Sequence, residues 1–142
     1  MSAVAHDCGV LLHPTALPGG AVCGGFGAAA REWIALLGRE RVGVWQLLPL
    51  APPDGTGSPY SSPSGSALNP WLIDADDLVA DGWLQPADRE ALPGADAGGS
   101  LLDPRLAAER ATALGAALRL RWPEQPASLQ EAFRLWRRAQ AP

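Results

Sequence analysis

Ser58, Pro59 and Tyr60 bring together the side chains best suited to touching a polyhydroxylated ring. Tyr60 offers an aromatic face for the apolar side of such a ring and a hydroxyl for its polar edge. Ser58 adds a short donor–acceptor group, and Pro59 stiffens the backbone between them, which lowers the ordering cost of binding. From chemistry alone, a surface loop with a packed tyrosine accounts for the same residues equally well. The acidic residues invite a second question, because Asp74, Asp76 and Asp77 cluster and Asp81 follows. Ahead of a helix, such acids serve as caps and as favourable charges at the dipole's positive end, and that is the role expected of them. Asp54, in a polar stretch, is expected to serve a turn. His13 is expected to be a hydrogen-bonded structural histidine. Gln46, on a strand expected to be buried, would need a partner for its amide.

Metal and redox chemistry find little footing. The two cysteines, Cys8 and Cys23, are expected to be reduced thiols, although sequence alone leaves a disulfide between them open. The neighbouring histidines, His6 and His13, come with no CxxC or HExxH spacing, so no metal site and no cofactor are expected. The formal charge of −4 over 142 residues argues against nucleic acid or an anionic membrane as partner. The amino-terminal stretch lacks a basic segment and its apolar run is cut short by Pro14. No later run reaches the roughly 20 apolar residues of a membrane span. A cytoplasmic protein is the expectation.

The elements that must position these residues follow from periodicity. Gly9–His13 and Val44–Leu50 are short apolar runs without alternation, as expected of parallel strands buried on both faces. Between them, Ala30, Trp33, Ile34 and Leu37 recur at helical spacing over 28–37, with Gly38 as a C-terminal cap. Strand, helix and strand make a βαβ unit. Residues 52–70 then lose all periodicity and become rich in Pro, Gly and Ser, a long loop after a parallel strand, where α/β barrels carry their active-site loops. Asn69 before Pro70 shapes its return. The remainder reads as helices. The first is short and capped by Asp74 or Asp76, ending at Gly82. A second turn opens at Pro86. A longer helix has Asp103 as N-cap, Pro104 at its first position, and Leu106, Ala113, Leu114, Ala117 and Leu118 on its apolar side. Pro123 and Pro126 break it. A last helix opens on a Ser128–Glu131 capping box with a stripe of Leu129, Ala132, Phe133 and Trp136. Of the six tryptophans, Trp33, Trp45 and Trp136 fit core positions, and core roles are also preferred for Trp71 and Trp83. Two buried strands cannot make a stable sheet alone, so the chain reads as the opening of a larger fold.

Three stretches carry a resemblance: GVLLHPTALP over 9–18, VWQLLPL over 44–50 and SPYSSPSGSALNPWLI over 58–73. In this order and spacing they resemble the first βαβ segment of the amylomaltases, or disproportionating enzymes, which are 4-α-glucanotransferases. Asp74–Leu84 continues the likeness as a short acidic helix ending in glycine. What the resemblance implies is α/β architecture: the opening βαβ segment of a (β/α)8 TIM barrel over 1–84, with the substrate-cleft loop at 52–70. A helical insertion or subdomain over 85–142 follows, so the barrel is incomplete. It implies transfer of α-1,4-glucan segments between maltodextrins with retention at the anomeric carbon. Retention requires two carboxyl groups roughly 5 Å apart, one the nucleophile and the other the acid and base. In the family these lie on later strands, expected beyond Pro142, so no catalytic residue is carried over and the chain alone is expected to be inactive. The matching serine and tyrosine of the family line the sugar cleft, which makes Ser58 and Tyr60 the expected substrate-binding residues. Ser61 stands where many relatives have glutamine, so a contact made by that amide is not expected here. The alternatives are a non-catalytic α-glucan-binding module and an interaction subunit whose partner supplies the remainder of the barrel.

Overall fold

The computed structural model describes residues 8–95 and 102–140; His6 lies outside them. Among the described residues the order is β1 (Gly9–Leu11), a 3-10 turn (Pro14–Ala16), α1 (Ala28–Arg39), β2 (Val44–Gln46), a second 3-10 turn (Pro70–Leu72), α2 (Ala75–Ala80), α3 (Pro86–Glu90), α4 (Pro104–Arg121), a third turn (Trp122–Glu124) and α5 (Ala127–Ala139). The chain is α/β, with β1 and β2 paired in parallel, Gly9 opposite Val44 and Leu11 opposite Gln46.

Both strands are shorter than their apolar runs. His13 turns out of the ladder to cap the turn at Pro14, its ring accepting from the Thr15 N–H. Among the described residues the backbone ladder ends where the Leu12 N–H donates to the Gln46 carbonyl. The expected burial on both faces is also corrected. Successive strand residues point to opposite faces. Val10 and Trp45 are half-buried, with Trp45 meeting Phe26 and Trp33 edge-on beneath α1. Leu11 and Val44 point the other way and are 55% and 46% exposed. Gln46 shares that open face, so its amide stands in solvent and needs no buried partner.

α1 forms where expected but runs through Gly38 to Arg39. The reversal falls on Arg41, at φ 58°, and not on the glycine. Ala30 and Leu37 are buried while Ile34 is exposed, because the inward face of α1 is narrower than its apolar stripe.

The buried side chains gather chiefly into two clusters. Ala75, Leu84, Leu92 and Leu114 form one cluster, covered by Leu78, Val79, Ala113, Ala117 and Leu118. Val22, Cys23 and Ala107 form another, against Trp71 and Leu106. The caps work as the sequence predicts. Asp74 accepts from the N–H groups of Asp76 and Asp77 at 2.8 and 3.1 Å, and Asp103 from those of Arg105 and Leu106 at 2.9 and 3.1 Å. Gly82, at φ 76°, lets the chain leave α2 in the left-handed region.

α5 departs from expectation. Its N-cap is Pro126 and no side chain caps it, so the Ser128–Glu131 box does not form. Ser128 already lies inside the helix, where it cannot reach the free N–H groups, and Glu131 pairs instead with Arg134. Trp136 is 56% exposed and is not a core residue. It stacks on Phe133, whose ring meets Trp122 edge-on, and Trp122 stacks on Trp83, so the apolar stripe ends in a half-open aromatic row. Cys8 is exposed, Cys23 is buried, and both are free thiols. Among the described residues no helix is long and apolar enough to cross a membrane.

Candidate functional site

The loop over 52–70 is held by its own polar side chains. Asp54 organises it: its carboxylate accepts from the Thr56 hydroxyl at 2.5 Å, the Thr56 N–H at 2.9 Å and the Ser61 hydroxyl at 2.8 Å. Those hydrogen bonds, the Thr56 hydroxyl first and Ser61 next, hold the carboxyl below the usual range. The Asp54 N–H donates to the Ser61 carbonyl at 2.7 Å, and the Ser62 hydroxyl to the Pro52 carbonyl at 2.7 Å. The base closes where Asn69 N–H donates to the Leu50 carbonyl at 3.2 Å. Asn69 is buried, and its side-chain oxygen accepts from the Trp71 N–H at 3.0 Å, capping the Pro70–Leu72 turn. The expected turn role of Asp54 and the shaping role of Asn69 both have a physical form.

Tyr60 projects from this loop with 74% of its surface exposed. An aromatic ring in water on a pinned backbone is available to a ligand, and the alternative of a packed tyrosine does not describe it. Ser58 is half-buried, and its hydroxyl oxygen accepts from the Tyr60 N–H at 3.4 Å. The structure therefore brings Ser58 and Tyr60 together on one turn, with Ser58 supporting the backbone that presents the ring.

Beneath the loop lies a cavity of about 180 Å³, walled by His13, Pro49, Pro53, Pro59 and Trp71. The Nδ1 of His13 bonds to Thr15, 2.8 Å from its hydroxyl oxygen. Nε2 is buried without a hydrogen-bond partner among the described residues. Burial pushes the ring's pKa down, with the Pro49 carbonyl pulling the other way. His13 thus sits at the junction of β1 and the loop, where burial disfavours its charged form. The acidic cluster is likewise committed to structure. Asp74 caps α2, Asp76 pairs with Arg89 at 2.8 Å, and Asp77 pairs with Arg31 at 2.7 Å. No group of three or more metal-ligating side chains is gathered among the described residues.

A larger cleft, about 430 Å³, opens beside the helical half. The loop over 18–25, Trp71, Asp74, Asp76, Arg89 and Arg110 line it. Sequence reasoning does not find it. Arg89 and Arg110 stand on different helices with no shared spacing, and they meet only because α3 packs on α2 and α4 on the Pro70–Leu72 turn.

With this geometry in view, the likenesses to known proteins are informative. Residues 12–142 match the profile of the 4-alpha-glucanotransferase family. The 4-alpha-glucanotransferase of Synechocystis sp. is 42% identical over 85 residues, 60% of this chain and 17% of that protein. The chloroplastic/amyloplastic 4-alpha-glucanotransferase of Arabidopsis thaliana is 42% identical over 90 residues, 59% of this chain and 16% of that one. Amylomaltase from Streptococcus agalactiae, solved in complex with acarbose, superposes with a TM-score of 0.73 at 29% identity, over 94% of this chain and 27% of that one. The chain thus spans about a sixth of the length of these curated relatives. A profile match over nearly the whole sequence, backed by fold and identity together, shows that this chain belongs to the 4-alpha-glucanotransferase family.

Proposed function

We propose that this chain supplies one wall of the α-glucan cleft of a 4-α-glucanotransferase, with Tyr60 and Ser58 as its sugar-binding residues. The enzyme in question moves α-1,4-glucan segments between maltodextrins by retaining double displacement, in starch or glycogen metabolism. The observation that carries this reading is Tyr60, 74% exposed on a loop pinned by Asp54, in a chain that matches the family. Residues 1–84 form the opening of a (β/α)8 barrel, and 85–142 a helical subdomain packed on it. The chain's part is recognition and not bond cleavage. Asp54, Asp74, Asp76, Asp77 and Asp88 are each engaged in a turn, a cap or an ion pair, so none forms the facing carboxyl pair that retention requires. The cytoplasm, where Cys8 and Cys23 stay reduced, is the proposed site of action.

Tyr60 is the protein's single tyrosine, which gives the test a unique probe. Fluorine-labelled tyrosine should show a shift on titration with maltoheptaose, and Tyr60→Ala should weaken binding of that sugar. A fluorine signal unmoved by millimolar maltoheptaose sinks the binding role. Incubated with maltotriose, the 142-residue chain should release no glucose and build no longer maltodextrins, and clear disproportionation refutes the division of labour. A second reading has its own observation: the open face of Leu11 and Val44 suits an interaction subunit whose sheet is completed by further strands of the barrel.

A further inference from the structure

We infer that Asp54 is a positioning residue for sugar binding, one carboxylate tying down both ends of the turn that presents Tyr60, and that Ser61 serves as its latch and not as a sugar contact. The Tyr60 ring stands exposed. Packing therefore cannot hold it, and whatever places it must act through the backbone. That backbone is a turn over Ser58–Ser61, closed where the Ser61 N–H donates to the Ser58 carbonyl at 3.1 Å, with Pro59 and Tyr60 as its central residues. Pro59 fixes its own φ angle before any ligand arrives. Both ends of the turn lead to Asp54. At the far end the Ser61 hydroxyl donates to Oδ2 at 2.8 Å. At the near end the Ser58 N–H donates to the Thr56 hydroxyl oxygen at 3.3 Å, and that hydroxyl donates to Oδ1 at 2.5 Å. The backbone repeats the closure, with the Asp54 N–H donating to the Ser61 carbonyl at 2.7 Å.

A carboxylate suits this work. Hydrogen bonds to an ionised acceptor are stronger than those between neutral groups, and the Thr56 hydroxyl first, then that of Ser61, favour the ionised form. A second turn seats the clamp. The Gly57 N–H donates to the Asp54 carbonyl at 3.0 Å. At φ 75°, Gly57 lies so close to the start of α4 that a Cβ there would be 2.8 Å from a ring carbon of Pro104. Asp54 thus gathers the Tyr60 turn while α4 backs it. A ring presented on a fixed turn loses little entropy when a sugar stacks on it. The Ser61 hydroxyl has one hydrogen and spends it on Asp54, so it has none to donate to a sugar. Its effect on binding therefore runs through Asp54. The inference rests on the reading of Tyr60 as a sugar contact.

The test titrates the 142-residue chain, carrying fluorine-labelled tyrosine, with maltoheptaose. Asp54→Ala should weaken binding by about tenfold and Ser61→Ala by about threefold, the losses expected of several solvent-facing hydrogen bonds and of one. The double variant should bind no worse than Asp54→Ala, because both changes remove the same bond. Ser61→Thr, which keeps a hydroxyl, should bind as wild type does. Without sugar, the Ser61 N–H should exchange with solvent about threefold faster or more in Asp54→Ala. Circular dichroism should be unchanged throughout, since residues 52–69 lie outside every helix and strand. Equal binding by wild type and Asp54→Ala overturns the clamp and leaves Tyr60 as the contact. Losses that multiply to about thirtyfold in the double variant give Ser61 a sugar contact of its own and overturn the latch. Unchanged Ser61 N–H exchange in Asp54→Ala overturns the clamp whether or not sugar binds. A wild-type fluorine signal that maltoheptaose does not move overturns the proposed function itself, and the binding role of Asp54 with it.

Discussion

Leu114→Ala is expected to be the most damaging of the conservative truncations within α4. Leu114 is 4% exposed and sits among Ala75, Leu84 and Leu92, so it joins α2, the segment after α3 and α4 in one contact. Its fully buried neighbours are one small residue, Ala75, and two leucines on other segments, Leu84 and Leu92, so the space left would be refilled only in part. Loss of a buried leucine with partial relaxation costs about 3 kcal/mol, within the span seen for such truncations. For a 142-residue protein that corresponds to a fall of about 10 °C in unfolding midpoint. Urea unfolding followed by far-ultraviolet circular dichroism measures it, with an unchanged slope showing that the unfolded state is not what moved. Leu120→Ala is the control: it lies on the same helix but is 68% exposed, and should stay within about 0.5 kcal/mol of wild type. Equal losses for the two variants, or a loss below about 1 kcal/mol for Leu114→Ala, refute the claim that the core lies at this contact.

Other outcomes follow from single groups. Asp74→Ala removes the acceptor for two N–H groups of α2 and should cost about 1 kcal/mol in urea unfolding, with most of it recovered by Asp74→Ser. Asp88 is held below the usual carboxylate range, first by the Arg121 guanidinium and then by the Gln85 N–H. Its contribution is present above the ordinary aspartate pKa near 4 and is lost as pH falls below it, so the midpoint should drop in acid for wild type and less steeply for Asp88→Asn. His13 has its pKa lowered by burial. The unfolded chain therefore binds the extra proton first, and stability should decline as pH falls below about 6.5. That decline should be smaller in His13→Asn, which keeps an acceptor for Thr15.

Local elements were readable because local chemistry decides them. The caps at Asp74 and Asp103, the turn at Asp54 and the helical spacing over 28–37 are written in neighbouring residues, and each appears in the structure. Three features were not. The open face of the sheet depends on what lies across it, and a run such as Val44–Leu50 records that a residue is apolar without recording what covers it. The failed Ser128–Glu131 box shows a motif losing to an earlier helix start, since Pro126 begins the turn before Ser128 can cap it. The cleft at Trp71 joins residues separated by up to 92 positions along the chain, from Pro18 to Arg110, and no local period marks such a meeting. The proposal of Tyr60 and Ser58 as sugar contacts has another source: their residue types suit a sugar, and the surrounding motif resembles that of a family whose matching residues serve there.

One short turn ties the loop that carries Tyr60 to the packing of the helices. Tyr60 hangs from a loop whose first anchor is the end of β2, in a sheet with an open face. Its second anchor is Asn69, buried, capping the Pro70–Leu72 turn. That turn is gripped by α4 and carries Leu72, 4% exposed, and Trp71, which belongs to the Val22–Cys23–Ala107 cluster. The far end of the loop that carries the exposed tyrosine is therefore held from the helical side. Asn69 makes no contact that sugar chemistry would single out. Yet it closes the loop through its N–H to Leu50 and orders the turn through its side-chain oxygen. Replacing its amide with an apolar group of similar size would leave the Trp71 N–H without that acceptor and loosen the end of the loop that is better held. The placement of Tyr60 thus depends on a buried amide nine residues away, and through it on the packing of α4.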